Sequence, residues 1–341
     1  MKKIAIYMLL GVLLMAIMPP AASQEENAPI ISLMIDVDTT PSPGYEEIRA
    51  AESNLHTIFG QIANRDGTGT IFSTQDVTSS RIRLLLAQYS VLSTFEFAIS
   101  GNRSDDQLSI LPISEQEALI KNSVRSAEAA RVCDMSDVNV TGFMPPGFDQ
   151  NEDTYRAIDN LGFMYDAGFQ AGLIYAPGHE EDVWPYMVEG YNFSAVPIST
   201  VDVSGELVPL YDKKVAEEGM SAAEWGEILT TKLDESAAND EPMVVLLSTS
   251  VSGTGEYLGA LIEFLDYAVS EDAIFVNARD LVTIAKTGNL TLPEGGTWEC
   301  PTCGEDEAMD LNIVLVEKED ASLVNESEPN ESSDQEAEVV A

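Results

Sequence analysis

The segment from Ile31 to Asp38 reads "ISLMIDVD", an apolar run that ends in two carboxylates one residue apart. A short apolar run of this kind favours a buried β-strand. A strand that finishes in Asp36 and Asp38 places two acids at the rim of a sheet, where metal ligands and general bases are common. A divalent metal at that rim would usually recruit histidines, so the positions of the histidines decide how these acids are interpreted.

Apolar, β-rich runs alternate with helical patterns through most of the chain, which predicts βα units around a parallel sheet or barrel. The predicted strands lie near residues 31–36, 70–73, 94–100, 138–143, 195–199, 243–250 and 273–277. Ser-x-x-Glu capping boxes or a terminal glycine predict helices over 114–130, 221–237 and 153–161. The sequence therefore predicts an α/β fold.

The N-terminus has the composition of a secretory signal peptide. Lys2 and Lys3 precede an apolar run from Ile4 to Ile17, and small residues follow, with cleavage expected near Ser23. The run is short for a membrane span. We therefore expect an exported, extracellular or cell-surface protein, with an uncleaved anchor as the alternative and no other span.

The length and composition describe a chain that can bury a large core. It has 341 residues, 45% of them hydrophobic, which fits one barrel-sized domain or two smaller ones. The predicted order is a signal peptide, a folded domain, a small extension and a disordered acidic tail, over 1–23, 29–288, 289–318 and 319–341.

The extension contains Cys300-Pro-Thr-Cys303. A structural zinc needs four ligands and no second pair is present, so a local disulfide or two thiols is expected.

The chain is strongly acidic, with 58 Asp and Glu against 17 Lys and Arg and a net charge of -41. The acids are spread along the whole chain and are not confined to its tail. Such a surface repels nucleic acid and anionic membranes, and it repels itself at low salt. We interpret it as a halophilic adaptation to high salt, with an ordinary acidic surface protein as the alternative, and we expect no nucleic-acid partner.

Several stretches, taken in order over residues 29–288, resemble the polysaccharide deacetylases, the NodB-homology domain of carbohydrate esterase family four. The stretch "ISLMIDVDTTPSP" resembles the first motif of that family in its Asp-x-Asp form. The stretch "TGFMPPGFDQNEDTYRAIDNLGFMYDAGF" resembles the third motif, and "YLGALIEFLDYAVSEDAIFVNARDLVTIA" resembles the last helix, strand and helix. The resemblance implies an irregular (β/α) barrel that binds ligands at the C-terminal rim of its strands.

The resemblance also implies a chemistry. In the family, one Asp and a His-x-x-x-His pair hold a divalent metal, and a second Asp acts as base in the hydrolysis of N-acetyl groups from amino sugars. The metal acidifies a bound water and polarises the amide carbonyl while the carboxylate removes a proton. By this resemblance Asp36 matches the base and Asp38 matches the metal-binding Asp.

The other motif positions depart from the family. Ser100 and Ser104 stand where the family has the two histidines, and a hydroxyl is a poor ligand for a borderline divalent ion. Met144 stands where an Arg orients the base, and methionine cannot pair with a carboxylate. Ser248 or Ser250 stands where the family has a general-acid histidine. These metal and catalytic motifs are therefore degenerate.

The two histidines of the chain do not restore the ligand pair. His56 lies in a predicted helix, where we expect a structural role, and His179 follows a Pro-Gly turn on a predicted loop. We therefore expect no zinc or other divalent metal at Asp38, and no other cofactor.

Three functional hypotheses follow. The first, which we favour, is an exported, monomeric pseudoenzyme that binds a glycan or resides in the carbohydrate-rich cell envelope. Aromatic and apolar residues matched to the barrel rim are the candidates for a sugar-binding groove that includes Asp38, although each one alone also fits ordinary packing. These candidates are Phe143, Pro145, Phe148, Trp184 and Tyr186.

The second hypothesis is an enzyme with altered chemistry, in which Asp36, Asp38, Glu96 and Asp166 gather at one end of the barrel. Such carboxylates could hold calcium or magnesium, or act as an acid and base pair on a glycosidic bond. The third is a structural protein of the cell surface. An open concave groove at the rim favours glycan binding, whereas a filled rim favours the structural role.

Overall fold

The computed structural model describes residues 28–78, 95–129 and 140–288, all within one compact unit, Met1–Glu299. The predicted signal peptide, the cysteine-containing extension and the acidic tail lie outside these residues, as does Cys133. In the ranges that are described, no helix combines the length and the apolarity needed to cross a membrane.

The strands are short and follow each other closely along the chain. They are β1 (Ile30–Asp36), β2 (Gly69–Ser73), β3 (Phe95–Ile99), β4 (Gly142–Phe143), β5 (Tyr165–Gln170), β6 (Tyr186–Met187), β7 (Ser194–Ile198), β8 (Thr200–Val203), β9 (Glu206–Pro209), β10 (Met243–Ser248) and β11 (Ile274–Val276).

Helices lie between most of these strands. The α-helices of the described ranges are α1 (Tyr45–Ala63), α2 (Gln75–Thr78), α3 (Ile113–Ala129), α4 (Glu152–Leu161), α5 (Asp212–Glu217), α6 (Ala222–Asn239), α7 (Gly255–Ser270) and α8 (Ala278–Thr287). Short 3₁₀ turns cover Leu108–Ile110 and Pro146–Phe148.

The main sheet curls into an irregular (β/α) barrel. Its strand order is β10-β1-β2-β3-β4-β5-β7-β6, and β11 also pairs with β1. Every pair is parallel except β6 with β7, and β8 and β9 form a separate antiparallel hairpin. A backbone bond from Ser199 N to Val244 O (3.0 Å) joins the end of β7 to β10, and a bond from Leu246 N to Leu210 O (2.9 Å) joins β10 to the residue after β9. The predicted fold class is confirmed.

Burial of the sheet on both faces explains why the strand sequences are continuous apolar runs. A parallel sheet covered by helices is buried on both faces, so its strands lack an alternating polar face. Strands β2, β3 and β10 are buried at every residue, and β1 at all but its ends. Helix α1 contributes one apolar face, which includes Ile48, Leu55, Ile58 and Ile62.

Most local predictions are confirmed, within one or two residues at the ends. The strand predicted over 138–143 is found only at Gly142–Phe143, and residues 138–139 lie outside the described residues. Ser221 opens α6 in a reciprocal capping box with Glu224, and Gly162 ends α4 in the left-handed conformation at φ 78°. The capping box at Ser114 is wrong, because α3 already begins at Ile113. The sequence did not predict β5, β6, the β8–β9 hairpin, α2 or α5.

The loop after β10 packs tightly against α1. A Cβ atom at Gly253 would overlap the carbonyl oxygen of Thr249 and lie 2.5 Å from Asn54 Cβ. No side chain fits there without moving the backbone. The loop can therefore follow this path only with glycine at position 253.

We expect Gly253→Ala to lower the free energy of unfolding by about 1–3 kcal/mol, because the added methyl group forces the loop away from α1. Urea unfolding at constant salt measures the change. The control is Gly259→Ala in α7, where a Cβ meets no atom within 4 Å. There we expect a gain of about 0.5–1 kcal/mol from helix propensity. Equal effects at the two positions would contradict the close approach at Gly253.

Candidate functional site

A cavity of about 540 Å³ opens at the C-terminal ends of the barrel strands. This end is where a (β/α) barrel collects its functional loops, and the volume is typical of small-ligand sites. Its walls come from the ends of β1 to β5, the β8–β9 hairpin and α5. They include Asp36, Asp38, Ser100, Ser104, Met144, Pro145, Phe148, Leu173, Leu207, Tyr211 and Lys213.

Asp36 is the last residue of β1 and lines this cavity. Its carboxylate has no hydrogen-bond partner in the described part of the chain. Burial raises the pKa of Asp36 to about 7, and the negative charge of Asp38 also raises it, while Lys213 lowers it. Asp36 therefore exchanges its proton near neutral pH, as an acid or base catalyst must.

Asp38 is saturated with hydrogen-bond donors. Its Oδ1 accepts bonds from Thr249 Oγ1 (3.0 Å) and from the backbone N–H of Ser250 (2.9 Å). Its Oδ2 accepts bonds from Ser250 Oγ (2.6 Å) and from Lys213 Nζ (3.1 Å), and its side chain is only 8% exposed. Burial alone would raise the pKa of Asp38, but the hydrogen bonds and the Lys213 charge lower it on balance.

A second buried acid, Asp212, fixes the start of α5 against the end of β10. The backbone N–H of Ser248 donates to both of its oxygens (2.8 and 2.9 Å), and that of Ser252 donates to Oδ2 (3.2 Å). Burial raises the pKa of Asp212 to about 7. Because Lys213 is the next residue, this network also sets the position of the lysine that contacts Asp38.

Three of the side chains at the degenerate motif positions line the cavity, and Ser250 contacts Asp38 beside it. Ser100 and Ser104 line it, and Ser104 Oγ is buried without a hydrogen-bond partner in the described residues. Met144 is buried at the edge of the cavity. The Oγ atoms of Ser248 and Ser250 lie 3.1 Å apart. The structure thus brings together the positions that the resemblance assigned to the metal and to the catalytic residues.

The donors at this place do not fit a zinc ion. A protein zinc site needs three or four nitrogen, sulfur or carboxylate ligands, and Ser100 and Ser104 supply only neutral hydroxyls. Asp38 already accepts four bonds, one of them from a cation. No group of three His, Cys, Asp or Glu side chains comes together anywhere in the described ranges. The side chains at this place therefore do not fit the metal that the family implies, and the absence of zinc stays a prediction for metal analysis of the purified protein.

Only part of the predicted sugar-binding groove lines the cavity. Phe148 does so and packs edge-on against Tyr211, with ring centroids 5.9 Å apart. Pro145 lies beside it, and Leu173 and Leu207 form an apolar rim at 40% and 44% exposure. An aromatic ring and an apolar rim are thus available to a ligand.

The other three candidates lie away from the cavity. Phe143 is fully buried and packs against Phe163 in the core. Trp184 donates from Nε1 to the carbonyl of residue 240 (3.3 Å), and the ring of Tyr186 stacks on His179 at 3.9 Å. None of the three lines the cavity, since Phe143 is enclosed in the core and Tyr186 lies on β6 at the far edge of the sheet, so their positions do not support a groove shared with Asp38.

Glu96 does not join the acids of the cavity. It pairs in register with Thr70, two residues before the level of Asp36, so its side chain lies toward the N-terminal ends of the strands. There it accepts bonds from Thr70 Oγ1 (3.1 Å), Thr141 Oγ1 (3.0 Å) and Arg279 N (3.0 Å). Burial raises the pKa of Glu96. The predicted cluster of four carboxylates is wrong.

Asp166 is likewise outside the cavity lining and is fully buried on β5. Its Oδ1 accepts a bond from Gly168 N (2.8 Å), and its Oδ2 has no partner in the described residues. Burial raises the pKa of Asp166 to about 8. It is a neutral acid in the folded state at pH 7.

Neither histidine reaches the cavity. His56 is exposed on α1, and His179 Nδ1 lies 2.6 Å from Asp182 Oδ2 in the loop before β6.

Sequence analysis missed the residues that do complete the site, namely Tyr211, Asp212 and Lys213. One feature of the sequence pointed to them, namely the consecutive lysines Lys213 and Lys214 in a chain with only 17 Lys and Arg residues.

Comparison with known proteins places the fold. No family model matches the sequence, and no curated protein sequence does either. Among solved structures, a protein from Mycobacterium smegmatis assigned as a polysaccharide deacetylase aligns at TM-score 0.60 and 16% identity, covering 81% of this chain and 98% of that one. The Puue allantoinase aligns at TM-score 0.60 and 15% identity, covering 77% and 92%.

A protein from Pseudomonas aeruginosa PAO1, also assigned as a polysaccharide deacetylase, aligns at TM-score 0.60 and 14% identity, covering 76% of this chain and 91% of that one. The chain therefore has the fold of a NodB-like, family-four carbohydrate esterase domain. At such identities the likeness describes the fold only. The same fold carries at least one other named activity, so the site must identify the ligand.

We expect the stability of the protein to fall as pH rises from about 4 to 8, in part because of Asp166. The unfolded chain loses the Asp166 proton near its ordinary pKa, whereas the folded chain keeps it until about pH 8. Asp166→Asn should reduce the loss of unfolding free energy between pH 5 and 8 by an amount on the order of 1–3 kcal/mol. Urea unfolding at both pH values measures it.

The control is Glu263→Gln, a neutralising change at an exposed position on α7. It should leave the pH dependence of unfolding unchanged. A wild-type pH slope in the Asp166→Asn variant would mean that Asp166 ionises normally in the folded protein.

Proposed function

We propose that the protein binds a carbohydrate in the barrel cavity and has lost metal-dependent deacetylation. The observation that carries the proposal is the open cavity of about 540 Å³ whose walls combine hydroxyl groups with an apolar surface. Sugars are bound by such combinations, since their C–H faces pack on rings and their hydroxyls take hydrogen bonds. Ser100, Ser104 and Phe148 supply these contacts. The fold shared with proteins assigned as polysaccharide deacetylases supports the same ligand class.

The proposed loss of deacetylation follows from the chemistry of amide hydrolysis. An amide needs an activated water and a polarised carbonyl, which a metal ion supplies in one step. Ser100 and Ser104 cannot replace imidazole as ligands, and Met144 cannot orient Asp36. We therefore expect no release of acetate from chitin oligomers or other N-acetylglucosamine polymers.

We also propose that the protein works outside the cell, in contact with envelope carbohydrate. The composition of residues 1–23 supports export, and the acidic chain fits a saline exterior. Mass spectrometry of the N-terminus of protein recovered from the medium or cell surface tests this. An intact Met1 on protein found only inside cells would contradict it.

We expect Phe148→Ala to weaken glycan binding at least about fivefold, which is about 1 kcal/mol, because it removes the ring on which a sugar would pack. The measurement is binding to a glycan array in high-salt buffer, followed by titration calorimetry on the best ligand. The matched control is Trp184→Ala, which removes a larger ring outside the cavity. Equal losses in both variants would place the binding surface elsewhere. No binding by the wild-type protein would favour the structural role.

A second function, metal-free hydrolysis by Asp36, is favoured by one observation. Its carboxyl faces the cavity, has no hydrogen-bond partner among the described residues and has a pKa raised to about 7 by burial. Such a group can serve as general acid or base on a glycosidic or ester bond. The test is release of reducing sugar or acetate across the pH range. A rate with an inflection near pH 7 that Asp36→Asn abolishes would show that the protein is an enzyme.

A further inference from the structure

The side chain of Lys213 reaches the carboxylate that the resemblance assigns to the metal. Lys213 Nζ lies 3.1 Å from Asp38 Oδ2, and the positions of the two missing histidines, Ser100 and Ser104, line the same cavity. The positive charge of Lys213 also lowers the pKa of Asp36. One ammonium therefore acts electrostatically on both acids at the end of β1, as a bound cation would.

The contact is built into the fold. Asp212 accepts three backbone hydrogen bonds from Ser248 and Ser252, and this fixes the first turn of α5 with Lys213 directed at Asp38. The neighbouring Lys214 differs, because its Nζ pairs with Glu218 at 3.0 Å. Two adjacent lysines thus have different partners, and only the first of them contacts the acids of β1.

We propose that the Lys213 ammonium has replaced the metal ion as the cation at Asp38 and excludes divalent metals from the cavity. An ammonium balances a carboxylate and donates hydrogen bonds, but it offers no empty orbital to a water or a carbonyl. A divalent ion approaching Asp38 would meet a positive charge within contact distance, and it would have to displace the lysine. The replacement is independent of whether the cavity binds sugar.

The experiment rebuilds the missing ligands with and without the lysine. The first variant carries Ser100→His and Ser104→His, and the second adds Lys213→Met, which keeps most of the length of the side chain and removes its charge. Titration calorimetry and metal analysis measure zinc affinity and stoichiometry. We expect about one zinc in the second variant, and at least about tenfold weaker binding in the first because of repulsion by Lys213. Lys214→Met in the two-histidine background is the matched control and should bind zinc as weakly as the first variant.

All variants carry Cys300→Ser and Cys303→Ser, so that these thiols do not bind the added zinc. Equal zinc affinity with and without Lys213 would overturn the proposal. A folded second variant that takes no zinc would overturn it too, because removing the lysine would then not free a metal position.

A second measurement does not depend on the two histidines. With the cysteines replaced as above, Lys213→Met alone leaves Asp38 without its cation. Millimolar calcium, which takes oxygen ligands, should then raise the melting temperature of this variant and not that of the Lys213→Arg variant, which keeps a positive charge at the site. Equal thermal shifts in the two variants, or none in either, would contradict a cation position at Asp38.

Discussion

The ion pair between Asp38 and Lys213 is the interaction on which the site depends. It joins the end of β1 to the first turn of α5, and the loop after β10 holds both partners, since Ser250 donates to Asp38 while Ser248 and Ser252 donate to Asp212. A buried carboxylate is costly unless it is paired and hydrogen-bonded. Asp38 is both, so the barrel can keep this acid at its rim without a metal ion.

The shape of the site and its chemistry depend on different parts of the structure. The barrel still forms a cavity at the C-terminal ends of its strands, as the fold requires, and the cavity still has a ring and an apolar rim for a ligand. Catalysis depends on which atoms point into that space. Ser100, Ser104 and Lys213 offer hydrogen bonds to that space, and none of these side chains is itself a Lewis acid.

The acids of this chain fall into two groups that respond to different conditions. Among the described residues, most lie on the surface, where salt screens their mutual repulsion. A few are buried at defined places, where Asp36, Asp166 and Asp212 each have a pKa raised to about 7 or 8 by burial. Screening reaches these groups weakly, and pH controls them instead. Salt and pH thus act on the protein through separate sets of residues.

The sequence by itself determined the class of fold and the place of the site. Apolar runs such as 31–36 and caps such as Ser221 depend on neighbours close in the chain, so they can be identified without tertiary structure. Only the tertiary structure brought Lys213 to Asp38, across 175 residues, and placed Glu96 two residues below the level of Asp36, outside the cavity lining. Strand register and loop path decide such contacts, and local patterns specify neither of them.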